Sequence, residues 1–116
     1  MVYMIVCHLY AKEGKDVEEK IRSKLVEASN VYMKDAGVLN WHVMQDHQDP
    51  RKWTIVERYE KRSSLKVHVA NPFYAAFGAY MAPLLAKKLE IRQFNELDTS
   101  RLRVLLRDSF SSKYVS

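Results

Sequence analysis

The sequence predicts an α+β domain in which strands and helices follow the order β-α-β-β-α-β. Three observations predict it. Residues 2–9 form an apolar run rich in β-branched side chains, residues 14–35 carry a helical stripe, and residues 38–59 hold two strand-like runs joined by a short turn. At 116 residues the chain is long enough for one domain and too short for two.

The first helix is predicted by side-chain periodicity. Apolar residues recur at steps of three and four and would share one helix face: Val17, Ile21, Leu25, Ala28 and Tyr32. Gly37 follows at a position suited to a left-handed residue after the helix. Residues 38–47 and 53–59 then form a hairpin, with turn chemistry supplied by Asp49, Pro50 and Arg51.

The second half contains two short helices and a fourth strand. Ser63 is predicted to cap a helix that runs through Ala70, and Asn71 to cap a second helix with Pro72 in its first turn. Pro83 should end that helix, and residues 89–97 alternate like a strand. This order is the ferredoxin-like arrangement, a four-stranded antiparallel sheet with helices on one face.

Apolar side chains are predicted on both faces of this sheet. One face would carry Ile5, Cys7, Trp41 and Val43, and the other Met4, Val6, Val38 and Met44. Because the helices cover one face only, we expect a homodimer that forms through the sheet faces. Residues 1–97 would form the domain. Residues 98–116 would form an amphipathic tail with a stripe at Leu102, Leu105 and Leu106, which either frays or docks on the partner as an arm.

Charge and composition argue against several classes of partner. Residues 101–116 hold four basic side chains and one acidic one, so the tail carries +3 of the net charge of +5. The rest of the chain carries only +2, and its basic side chains are interspersed with acidic ones, so no nucleic-acid partner is expected.

Residues 2–9 are too short to span a membrane and lack the features of a signal peptide. Cys7 is the single cysteine, which favours a reducing, cytoplasmic location without an internal disulfide.

The spacing of histidines does not indicate a metal site. His8, His42 and His68 fall on different predicted elements, and His47 shares a strand with His42 at a spacing that points the two side chains to opposite faces. The three glycines stand far apart, so a phosphate-binding loop is not predicted either.

Residues 57–77 resemble the antibiotic biosynthesis monooxygenase (ABM) family of dimeric α/β barrels, and its small fungal members in particular. The features that carry the resemblance are Glu57 near the end of the third strand, Ser63 and Leu65 in the following turn, His68 on the short helix, and Asn71, Pro72 and Phe73 at the start of the aromatic-rich helix. The resemblance covers residues 2–97, and the tail lies outside it.

The resemblance implies a pocket between sheet and helices in each subunit of a dimer. Some members of the family oxidise quinols or anthrones with O2 and without a metal or organic cofactor. The expected function is therefore cofactor-independent monooxygenation of a quinol, an anthrone or a related aromatic polyketide-like substrate. One alternative is a non-catalytic dimer that binds a small aromatic molecule. Another is a haem-degrading monooxygenase, although His68 lies earlier than the haem ligand of those relatives.

Cofactor-free oxygenation requires a base and an apolar pocket that holds an electron-rich ring. His68 is the predicted base, Glu57 would orient it, and Tyr80 would donate a hydrogen bond to a substrate oxygen. The alternative for Glu57 and His68 is a buried structural hydrogen bond between strand and helix. The predicted substrate-binding residues are Tyr3, Trp41, Trp53, Phe73, Tyr74, Phe77 and Asn95, with Asn40 as an alternative to Asn95.

Overall fold

The structure, a computed structural model, describes residues 1–100 and has the predicted order of elements. The strands are β1 (Tyr3–Tyr10), β2 (Val38–Gln45), β3 (Lys52–Tyr59) and β4 (Glu90–Asn95). The helices are α1 (Lys15–Tyr32), α2 (Leu65–Ala70) and α3 (Pro72–Met81), with short 3-10 turns at Arg62–Ser64 and Ala82–Leu84. The leucine stripe predicted for the tail lies outside the described residues.

The four strands form one antiparallel sheet in the order β2-β3-β1-β4. This confirms the ferredoxin-like fold. The helical stripe of α1 is also confirmed, since Ile21, Leu25 and Ala28 are all at most 1% exposed and belong to the core. None of the helices within residues 1–100 has the length and apolar character needed to cross a bilayer.

Only one face of the sheet is covered by helices within the described part of the chain. The strand register places Val6 beside Val56 at the centre of the other face, which we call the open face. Met44 and Phe94 lie on the same face and are 43% and 40% exposed. The prediction of apolar side chains on both faces therefore agrees with the register.

The prediction that Val38 lies on the open face is wrong. The register of β2 shifts between Val38 and Asn40, which pair with the adjacent residues Tyr59 and Arg58 of β3. Such a bulge inserts one extra residue and so reverses the alternation of side chains. As a result Val38 packs against the core, on the same side as Trp41.

The segment from β3 to α3 differs from the prediction at Ser63 and agrees with it at Asn71 and Pro72. Ser63 does not cap a helix. It lies in the 3-10 turn that precedes α2, and neither element has a side-chain cap. Asn71 caps α3 as predicted, because its side chain accepts a hydrogen bond from the Phe73 N–H at 3.0 Å. Pro72 is in the first turn, and α3 ends at Met81, two residues before Pro83.

Gly37 allows the start of β2 to lie close to the 3-10 turn that precedes α2. Its φ is +84°, and a Cβ at this position would lie 2.5 Å from Ser64 Oγ and 2.8 Å from Ser64 Cβ.

We expect Gly37→Ala to lower the free energy of unfolding, measured in urea, by about 2 kcal/mol or more. Gly78→Ala is the matched control, because Gly78 lies within α3 and no atom of the described residues would be within 4 Å of the added Cβ. That variant should gain up to about 1 kcal/mol. Equal stabilities for the two variants would contradict this account.

Candidate active site

A cavity of about 430 Å³ lies between the helix-covered face of the sheet and helices α1, α2 and α3. Its volume is in the range found for small-molecule sites. It reaches the edge of the sheet at β4, where Ile91 lines it and is 53% exposed. The walls are mostly apolar and aromatic.

The floor of the cavity is set by the strand register. Trp41, Glu57, Ile5 and Gln93 form one row across all four strands, and each of them lines the cavity. Ile55, Cys7 and Ile91 form the next row. The helices supply the roof with Tyr32, His68, Tyr74 and Phe77. One row therefore contains a carboxylate near one end and an amide at the other.

Glu57 is the charged group of the floor and is only 5% exposed. The Tyr59 hydroxyl donates a hydrogen bond to Oε1, and the Cys7 thiol donates one to Oε2 at 3.6 Å. Burial raises the pKa of Glu57, and the hydrogen bond from Tyr59 partly offsets this. The Trp41 indole also acts to lower this pKa, although its N–H makes no hydrogen bond of ordinary geometry to any residue among 1–100.

His68 lies between two carboxylates. Its Nε2 is 3.7 Å from Glu57 Oε1, and its Nδ1 is 4.0 Å from Asp35 Oδ2. Both separations are longer than a hydrogen bond, so the strand-to-helix hydrogen bond considered for Glu57 and His68 is not formed. Burial lowers the pKa of His68 from its ordinary value of 6.5, and the Asp35 charge partly opposes the shift. The imidazole is therefore neutral near pH 7 and has a lone pair to accept a proton.

Asp35 is a part of the site that the sequence did not reveal. It lies in the loop after α1, and its Oδ1 accepts a hydrogen bond from Asn71 Nδ2 at 2.9 Å. Its other oxygen is buried without a hydrogen-bond partner among the described residues. The same loop contains Gly37, and polar side chains on loops between regular elements are frequent at functional sites. Nothing in its spacing, however, connects Asp35 with His68.

Three polar atoms around the cavity are buried and have no hydrogen-bond partner within residues 1–100: Tyr32 OH, Trp41 Nε1 and His68 Nδ1. An unpaired buried polar group costs roughly 1–3 kcal/mol. Burial raises the pKa of Tyr32, so its hydroxyl keeps its proton and remains a donor. The Tyr32 hydroxyl and the Trp41 indole N–H are therefore two donors beside the cavity that lack an acceptor within residues 1–100.

The structure brings together five of the predicted site residues. His68, Glu57, Trp41, Tyr74 and Phe77 all line the cavity. The His68 ring lies 4.2 Å from the Tyr32 ring and 5.3 Å from the Tyr74 ring, measured between centroids. The predicted base is therefore enclosed by aromatic rings on the helix side.

Tyr80, predicted as a hydrogen-bond donor to substrate, does not line the cavity. It is 39% exposed, and Lys24 Nζ lies 4.4 Å from its ring centroid. In this turn of α3, Phe77 and Gly78 line the cavity instead of Tyr80. Of the two tyrosines that line the cavity, Tyr32 has its ring nearer to the His68 ring, at 4.2 Å against 5.3 Å for Tyr74.

Four other predicted substrate-binding residues also lie outside the cavity lining. Phe73 packs edge-on against Tyr32, and Trp53 is buried beside the Arg22 guanidinium. Tyr3 is buried, and Asn95 is exposed near the end of β4. Each belongs to the core or to the strand edge around the site.

Asn40, the alternative to Asn95, is on the open face, where it accepts a hydrogen bond from Arg58. Gln93, which precedes Asn95 on the same face of β4, lines the cavity in its place. Within residues 1–100, no three His, Cys, Asp or Glu side chains come together in an arrangement that would hold a metal ion.

Comparisons with known proteins agree with this architecture. Rv0793 from Mycobacterium tuberculosis is 18% identical, with 86% of this chain and 99% of that chain covered and a TM-score of 0.76. PA3566 from Pseudomonas aeruginosa is 20% identical, with 84% and 95% covered and a TM-score of 0.75. At these identities the likeness shows the fold. No curated protein sequence matches the chain.

A sequence model of one family also matches. The model for antibiotic biosynthesis monooxygenase covers residues 2–80, which is more than half of the chain and includes α2 and nearly all of α3. A protein of that family name from Nitrosomonas europaea has the same fold, with 17% identity, 83% of this chain and 99% of that chain covered, and a TM-score of 0.76. The chain belongs to the antibiotic biosynthesis monooxygenase family.

Proposed function

We propose that the protein is a monooxygenase that uses O2 without a cofactor and acts on a quinol, an anthrone or a related aromatic polyketide-like molecule. One observation carries the proposal. A buried histidine with a lowered pKa lies between two carboxylates at the polar end of an aromatic-walled cavity, in a chain of this family.

The cavity favours a flat aromatic ligand. Trp41, Tyr74 and Phe77 provide ring faces and edges, and the floor between Glu57 and Gln93 is apolar. The unpaired donors Tyr32 OH and Trp41 Nε1 are suited to oxygen atoms of the substrate. Hydrogen bonds to such an oxygen would become stronger as negative charge develops on it during the reaction.

His68 accepts the proton in this mechanism. With Nδ1–H directed toward Asp35, Nε2 holds the lone pair at the end of the cavity nearest Glu57. Proton transfer from a phenol or from an acidic C–H group then gives an imidazolium between two carboxylates, at 4.0 and 3.7 Å. Both carboxylates stabilise that cation, and the apolar cavity excludes water from the substrate anion.

The substrate anion supplies the electrons. For an anthrone, the deprotonated carbon reduces O2 and forms a C–O bond; loss of water then turns the original CH2 group into a carbonyl. One oxygen atom enters the product and the other leaves as water. The substrate is oxidised by four electrons and O2 is reduced by four, so no other reductant is needed.

Oxygen uptake with a panel of quinols and anthrones tests the proposal. We expect uptake above the uncatalysed rate for at least one substrate, and with ¹⁸O2 one labelled atom in the product carbonyl. Binding of aromatic ligands without any uptake would contradict the proposal and favour a non-catalytic binding protein. A shifted Soret band on addition of haemin would instead favour haem as the ligand.

We also propose that the protein forms a homodimer through the open face. The central contact of that face pairs Val6 with Val56, and a dimer would remove the exposed parts of Met44 and Phe94 from water. We expect sedimentation at micromolar concentration to show a dimer for the native chain and a monomer for Val56→Lys, because an unpaired charge would be buried. Val26→Lys is the control. Val26 is 52% exposed on α1, so this variant should stay dimeric. A monomeric native chain would contradict the proposal.

A further inference from the structure

The floor of the cavity contains a second polar position besides Glu57, at the β4 end of the row that includes Glu57. Gln93 lines the cavity on β4, the edge strand, where the cavity reaches the surface. Ile5 separates it from Glu57 within the row. Two strand spacings lie between Glu57 and Gln93, which is about 10 Å along the sheet.

The orientation of the Gln93 amide is set by Tyr3, which projects from the same face of the sheet on the neighbouring strand β1. The hydroxyl of Tyr3 donates a hydrogen bond to Gln93 Oε1, and Tyr3 is only 5% exposed. Because this hydroxyl donates to the amide oxygen, the amide N–H2 group remains free to donate a hydrogen bond to a ligand. A buried hydroxyl that holds an otherwise exposed glutamine fixes both the position and the polarity of that end of the site.

We propose that Gln93 is a specificity-determining residue, held in place by Tyr3, that binds an oxygen atom at the end of the substrate farthest from His68. The substrate is then an elongated molecule of two or three linearly fused rings with oxygen at both ends. A single ring is too short to reach from His68 to Gln93. The apolar middle of the floor, at Ile5, Cys7 and Ile55, accommodates the unsubstituted part of the rings.

This inference rests on the proposed function for its substrate class, yet binding tests it without turnover. The ligands are 2,6-dihydroxyanthraquinone, with a hydroxyl at each end of its long axis, and 2-hydroxyanthraquinone, which has one. Calorimetry should show a three- to tenfold lower Kd of the native protein for the doubly hydroxylated ligand, the range expected for one hydrogen bond.

Gln93→Met should remove this preference and leave the Kd for 2-hydroxyanthraquinone within twofold of the native value. Tyr3→Phe should weaken the preference, because Gln93 then loses its support. Asn95→Leu is the matched control. It lies next on the same face of β4 but outside the cavity, so it should keep the preference.

Equal Kd values of the native protein for the two ligands would overturn the inference, and so would an unchanged preference in Gln93→Met. These binding results do not depend on oxygen. If the protein prefers the doubly hydroxylated ligand but takes up no O2, the role assigned to Gln93 is supported and the proposed oxygenation is contradicted.

Discussion

Replacing His68 by alanine should reduce oxygen uptake at saturating substrate at least a hundredfold. A positioned general base contributes about 10²- to 10⁴-fold to a rate, and His68 is the neutral imidazole that lines the cavity. Because alanine would also leave a hole beside Tyr32, His68→Phe is the second variant. It keeps a ring against Tyr32 and Tyr74 and removes both ring nitrogens, including the basic Nε2. Both variants should lose activity to a similar extent.

The control for His68 is His47→Ala. His47 lies in the exposed turn between β2 and β3, away from the cavity, so its loss should not change the rate. Measurement of ligand binding distinguishes a role of His68 in proton transfer from a role in maintaining the cavity. His68→Phe should still bind a hydroxyanthraquinone within about fivefold of the native Kd, since the aromatic walls remain. A His68→Phe enzyme with near-native uptake would show that another group removes the proton.

Asp35→Asn should lower the rate by about tenfold to a hundredfold and should move the pH dependence of kcat to lower pH. The Asp35 charge raises the pKa of His68, in opposition to the larger effect of burial. Removal of the Asp35 charge therefore lowers the pKa of His68 further, and the acidic limb of the kcat–pH profile moves to lower pH. The asparagine keeps an oxygen for the hydrogen bond from Asn71, so the local fold should survive. A lower rate with an unmoved profile would contradict a positioning role for Asp35.

The dependence of the free energy of unfolding on pH provides an independent test of Asp35→Asn. The pKa of His68 is lower in the folded chain than its ordinary value of 6.5, so the unfolded chain binds the proton more readily. The free energy of unfolding therefore decreases as the pH falls from 6.5 through the pKa of His68 in the folded chain. Asp35→Asn should make this loss larger, and His68→Phe should remove it. Glu57, whose pKa is raised, contributes in the opposite direction above pH 4.5, and comparison with His68→Phe isolates the histidine.

The fold could be predicted because its signals are local. The stripe of α1, the cap at Asn71 and the alternation of β4 are each contained in a few consecutive residues, and each is found in the structure. Val38 was misplaced because a bulge leaves no clear mark in the sequence yet reverses every side chain beyond it. Ser63 has the right chemistry for a cap, but the chain enters α2 through a 3-10 turn.

The site was predicted less completely because it depends on tertiary contacts. His68 and Glu57 stood out as an imidazole and a carboxylate, and both line the cavity. Asp35 reaches His68 only through the packing of the loop after α1 against α2, and no spacing rule connects the two. The choice between Gln93 and Asn95 depends on which row of the sheet lies under the helices, and that is fixed by the register of β4 against β1.

The most direct test of the account is the absorption spectrum of an anthrone bound without oxygen. If His68 removes the proton in the cavity, the native protein near pH 7 should generate the spectrum of the anthrone anion anaerobically, below the pH at which the free compound ionises. Addition of O2 should then oxidise that anion to the quinone. His68→Phe should bind the anthrone in its neutral form. A neutral spectrum in the native complex, or an equal anion band in His68→Phe, would contradict the central claim.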